Sequence, residues 1–127
     1  MNGTEICNRQ QLYYLGNQLT ANGIEFIKTL VDVRPNVSVI TKIEVLGFNA
    51  TLEEAVVLNA FMNDAVVLEL NSEIVNCTIE LRKSYKIKIP DAIIAATSLV
   101  NQMILVTRNT DDFKLIDELQ MVNPFLL

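Results

Sequence analysis

Apolar positions along this chain follow two alternating rhythms. Within residues 20–32, Ile24, Ile27, Leu30 and Val31 recur at helical spacing while Glu25, Lys28 and Thr29 fill the other side. Arg34-Pro35-Asn36 interrupts that helix, and Val37, Val39 and Ile40 then predict a short strand running into a helix that carries Thr41, Glu44 and Phe48. Thr51 and Glu54 have the spacing of a capping box, and the helix they open is expected to bury Leu52, Ala55, Val56 and Met62. Asn63-Asp64 ends it. Residues 65–70, AVVLEL, predict a strand, Asn71-Ser72 supplies an N-cap, and Ile74, Thr78, Leu81 and Tyr85 mark the next helix, whose end is basic in Arg82, Lys83, Lys86 and Lys88.

The last third is the most apolar. Pro90 suits the first residue of a helix, and residues 92–100 are small or apolar on every side, which describes a helix buried in the middle of a domain. Residues 103–107 predict a buried strand, followed by the loop RNTDD, a turn of helix over 113–119 and a last short strand at Met121-Val122. Strands alternating with helices predict an α/β fold: a three-layer α/β/α sandwich whose central sheet is mainly parallel and covered on both faces. At 127 residues, half of them apolar, the chain suits one domain spanning 1–127.

Composition narrows the chemistry. The chain has no histidine, which removes Ser-His and Cys-His catalysis and every His-ligated metal centre. Cys7 and Cys77 form no CxxC pair and are expected to be reduced and mostly buried. No apolar run approaches the roughly 20 residues of a membrane span, and the opening MNGTEICNRQQ lacks the pattern of a secretion signal, so the expected location is the cytoplasm. A net charge of −5 argues against a general nucleic-acid coat protein, because nonspecific affinity comes from neutralising phosphates. It leaves room for a local basic edge or for metal ions.

Carboxylates remain. Ligands of open parallel sheets bind outside the carboxyl ends of the strands. Glu44 lies about one helical turn past the strand at 37–40, Asp91 opens the buried helix, and Asp111 and Asp112 follow the strand at 103–107. Convergent acids repel one another unless a cation neutralises them, and oxygen ligands without His or Cys select hard ions such as Mg²⁺ or Mn²⁺. Such a site suits phosphodiester hydrolysis. Each acid also has an ordinary reading: Asp91 as a charge at a helix N-terminus, Glu44 as a solvated helix residue, and Asp111 and Asp112 as loop acids. Spacing leaves both open.

The stretch KIPDAIIAATSLVNQMILVTRNTDDF, with SVITKIEVLGF and the closing VNPF, resembles the PIN-domain ribonucleases, and specifically the VapC-like toxins of toxin-antitoxin pairs. The resemblance runs from about Ile6 to Pro124. It implies an acidic pocket that binds Mg²⁺ or Mn²⁺ and cuts RNA, an antitoxin that holds the enzyme inactive, and a homodimer. Glu44 matches the family's acid after the second strand, Asp91 the acid of its "PDA" element and Asp112 the late acid. Asn109 matches a polar position in the preceding loop, and Thr41 and Thr107 match hydroxyl residues close to the site.

The first strand departs from the family's pattern. Asn8, Arg9 and Gln10 stand where Asp, Thr and Asn are expected, and the Asp replaced by Asn8 is the family's central metal ligand. An amide keeps a carbonyl oxygen but loses the charge that binds a divalent ion, so weakened metal binding and low or absent nuclease activity are expected. Two functions follow: a metal-dependent endoribonuclease toxin, or a catalytically inactive PIN-like module that binds an antitoxin or another partner. A doubly wound phosphate-accepting domain also clusters acids, but Asn8 removes its acceptor and the block over 90–113 does not resemble it.

Overall fold

The strand expected at 37–40 stops at Ser38, because the Ser38 hydroxyl accepts a hydrogen bond from the Thr41 N–H at 3.1 Å and so caps a helix that begins at Val39. The structure, a computed structural model, describes residues 4–6, 34–47, 49, 51–123 and 126. The helix predicted over 20–32 lies outside them, as do Asn8, Arg9 and Gln10. The described elements are β1 (Thr4–Ile6), β2 (Asn36–Ser38), α1 (Val39–Leu46), α2 (Leu52–Asp64), β3 (Val66–Leu68), α3 (Ser72–Ser84), α4 (Ile89–Val100), β4 (Ile104–Val106) and β5 (Met121–Val122).

The strands pair in parallel in the order β3-β2-β1-β4-β5. From β1 the sheet grows one way through β2 and β3 and the other way through β4 and β5. The direction reverses between β1 and β4, where Ile6 pairs with Val106, and at such a reversal the carboxyl ends of the strands flank a crevice.

Successive strand residues point to opposite faces, and β4 shows what each face meets. Leu105 packs with Ile74, Leu81, Ile94 and Phe113, whereas its neighbour Val106 packs with Val37, Val45, Leu58 and Met62. The two cores lie on opposite faces of the sheet, which bears out the expected α/β sandwich. Ala92, Ile94, Ala95, Ala96, Thr97 and Ser98 are all buried, as the small and apolar run of α4 predicted.

Three expectations need correction. In α2 the buried face is Leu58 and Met62 with Ala65 beyond, while Leu52 and Val56 point outward at 83% and 64% exposure. This helix is apolar on more than one side, so spacing alone did not select the face. Pro90 is the second residue of α4 rather than the first, with Lys88 at the N-cap. Residues 113–119 form no helix. A 3-10 turn at Thr110–Asp112 leads into further tight turns in which Phe113, Ile116 and Leu119 donate to the carbonyls of Thr110, Phe113 and Ile116. All three side chains are buried, because an apolar residue at every third position suits turns that close over three residues.

Candidate active site

Asp91 stands in the first turn of α4, where the terminal N–H groups favour negative charge. Its backbone is fixed by the helix itself: the Ala92 N–H donates to the Lys88 carbonyl at 2.8 Å. Asp112 arrives from the other side, on the 3-10 turn after β4. Phe113, 2% exposed, drives its ring into the core directly after Asp112 and so pins that turn.

Asp91 feels the charge of Asp112. The half-buried Asp91 carboxyl is raised above the ordinary aspartate range, first by desolvation, then by the negative charge of Asp112, and Lys88 partly offsets both. Asp91, Asp111 and Asp112 share a cavity of about 300 Å³ with Lys86, Lys88 and Lys114. Asp111 points to solvent and pairs with Lys114 at 3.9 Å.

Thr41, Thr107 and Asn109, expected close to the site, stand outside the lining of this cavity. Thr107 is fully buried, and its hydroxyl accepts from the Asn109 N–H at 3.1 Å, which bends the chain from β4 into the acidic turn. Asn109 in turn accepts at its carbonyl from the Asp112 N–H at 3.1 Å. Thr41 is buried too, and its hydroxyl accepts from Ser38 at 3.3 Å. Lys88, which the sequence placed in one basic set with Arg82, Lys83 and Lys86, lines the acidic cavity. Ser38 was missed in the sequence, although a hydroxyl three residues before Thr41 at a strand end was a usable cap signal.

Of the four expected ligands, Asp91 and Asp112 come together. Glu44 is exposed on α1, which packs against β2 and α4, and it does not line the cavity of the other two. Asn8 lies outside the described residues. Among the described residues, no three Asp, Glu or Cys side chains are grouped so that they can hold a metal ion. A carboxyl raised by burial and by a neighbouring carboxylate fits a hard divalent cation as part of its ligand set, and further oxygens would have to complete it.

Comparison with known proteins shows what the chain is similar to. The family model for the PIN domain matches residues 24–119. No curated protein sequence matches the chain. A chain of the toxin-antitoxin complex from Klebsiella pneumoniae is 26% identical, with a TM-score of 0.70 over 96% of this chain and 97% of that one. Chains of the DNA-bound VapBC from Salmonella typhimurium and of VapBC-1 from nontypeable Haemophilus influenzae are each 21% identical, with TM-scores of 0.77. The first similarity covers 98% of this chain and 99% of its counterpart, the second 95% and 97%. PIN domains generally use divalent metal ions, which agrees with two carboxylates sharing one cavity. With its family model matched from before β2 to beyond Phe113, the chain belongs to the PIN domain family.

Proposed function

We propose that the chain is a toxin-type endoribonuclease of a toxin-antitoxin pair, acting on RNA phosphodiesters with Mg²⁺ or Mn²⁺ in the cytoplasm. The observation that carries this reading is the approach of Asp112 to Asp91, close enough for its charge to raise the Asp91 carboxyl. Asp91 and Asp112 would hold the cation, with Glu44 contributing through α1 and Asn8 offering a neutral carbonyl oxygen. A divalent ion bound there supplies Lewis acidity toward a phosphoryl oxygen and lowers the pKa of a water nucleophile. Lys88 moderates the repulsion between the two acids when no cation is present. The similarity to toxin-antitoxin complexes supports an antitoxin as partner, and a second copy of the chain completes the expected assembly.

A second reading is favoured by Asn8 and by the lack of a three-acid group among the described residues: the fold is kept for partner binding and catalysis is lost. Cleavage of a mixed RNA with Mn²⁺ separates the two. The chain, its Asn8→Asp variant and the Asn8→Asp/Asp91→Ala double variant are compared. Cutting by Asn8→Asp alone supports the site and identifies position 8 as its lesion. Cutting that survives Asp91→Ala overturns the ligand assignment, and absence of cutting in all three favours the binding module.

A further inference from the structure

Arg82, Lys83, Lys86 and Lys88 place four of the chain's ten Lys and Arg residues within one short segment, in a protein of net charge −5. The structure turns that segment into a cavity. Arg82, Tyr85, Lys86, Ile87 and Lys88 line a space of about 590 Å³, within the roughly 300–1,000 Å³ typical of ligand sites. Its wall at residues 86–88 is also the wall of the smaller acidic cavity that holds Asp91 and Asp112. The two spaces adjoin.

Arg82 and Tyr85 are held in place. The Arg82 guanidinium donates through Nη1 to the Ile87 carbonyl, which holds the segment in a tight return after α3. Tyr85 is half-buried, packing on the core on one side while lining the cavity on the other, with its backbone N–H bonded to the Leu81 carbonyl at 2.9 Å. An aromatic residue that packs on the core and lines the cavity suits stacking, and cations beside it suit phosphates. Lys88 reaches both worlds, since its charge is felt at Asp91.

We propose that this cavity is a nucleotide subsite that receives one unstacked base of a single-stranded RNA on Tyr85, with Arg82 and Lys86 on the flanking phosphates, next to the Asp91–Asp112 pair. The inference rests on the ribonuclease reading and specifies how its substrate is held. It requires single-stranded RNA, because a base paired in a duplex cannot turn into a side cavity.

The test measures binding of a fluorescent, mixed-sequence single-stranded RNA to the full chain in EDTA, so that cleavage does not enter. Tyr85→Leu should weaken binding roughly 5- to 150-fold, the range of one base-aromatic stack, while Tyr85→Phe stays near the parent. Lys86→Gln should lower the slope of log affinity against log salt by about 0.7, one phosphate's share on a single strand. An RNA of the same length with abasic positions should bind the parent roughly 5- to 150-fold more weakly than the full RNA, a comparison that does not depend on how well any variant folds. Equal binding of abasic and full RNA by the parent overturns the proposal, as does absence of RNA binding. Stronger competition by an acidic peptide than by RNA also overturns it and assigns the cavity to a protein partner. Manganese-dependent cutting that needs Asp91 but ignores Tyr85 would remove the subsite and leave the nuclease reading intact. Tyr85-dependent binding without cutting would do the reverse.

Discussion

Phe113→Ala is expected to destabilise the protein by about 3–5 kcal/mol and to loosen the acidic site at the same time. Phe113 is 2% exposed and packs in the core formed by α3, α4 and β4. Removing its ring forfeits a transfer free energy of roughly 1.5–3 kcal/mol. A residual void of about 50–80 Å³ adds roughly 1–2 kcal/mol at about 24 cal/mol per Å³. With an unfolding entropy of about 2.1 cal/mol/K per residue, that loss lowers Tm by roughly 10–20 °C for a chain of this length. Leu115→Ala, at a position 63% exposed, serves as the control and should stay within about 0.5 kcal/mol of the parent. The two are compared by urea unfolding followed by circular dichroism. Carboxyl NMR titration of Asp91 then reads the site: if the ring pins the acidic turn, Phe113→Ala brings the Asp91 pKa back toward the ordinary range as Asp112 moves away. A Phe113→Ala loss no larger than that of Leu115→Ala, with the Asp91 titration unchanged, would refute the anchoring role.

Other outcomes follow from the same geometry. The Asp91 carboxyl is raised in the fold, so between the ordinary aspartate value and the raised one the folded state binds more protons than the unfolded state, and stability falls as pH rises through that window. In metal-free urea titrations from pH 3 to 7, Asp91→Asn should flatten this fall, and Asp112→Asn should shrink it by removing the neighbouring charge; an unchanged profile in both would contradict the pairing. Ser38→Ala removes the α1 cap and the partner of the buried Thr41 hydroxyl, and unfolding should record a loss of about 1–2 kcal/mol. Burial and the charge of Glu118 hold the Cys77 thiol above its ordinary range, so peptide mapping after iodoacetamide at pH 8 should show Cys77 alkylated more slowly than a free peptide thiol, and faster in Glu118→Gln.

Much of the fold was legible because its strongest signals are local. The Thr51 cap with Glu54, the Asn71 cap and the wholly buried α4 each rest on a few adjacent residues, and each is present. The face of α2 was not legible, because two apolar stripes compete on one helix and only the tertiary partners, Val37 and Val106, select between them. The turns at 113–119 were misread as helix because Phe113, Ile116 and Leu119 satisfy helical spacing nearly as well as a period of three. At the site, the approach of Asp112 to Asp91 depends on α4 and the turn after β4 sharing one core, and the late block resembling PIN domains pointed to both. Asn8 lies outside the described residues.

The central claim is that Asp91 and Asp112 form part of a cation site, and calorimetric titration with Mn²⁺ tests it most directly. The parent should bind Mn²⁺ weakly, Asn8→Asp should bind it more tightly, and Asp91→Asn or Asp112→Asn introduced into that variant should each reduce the affinity about tenfold or more, a loss of at least 1.4 kcal/mol. Manganese binding that is the same with and without both carboxylates would contradict the account.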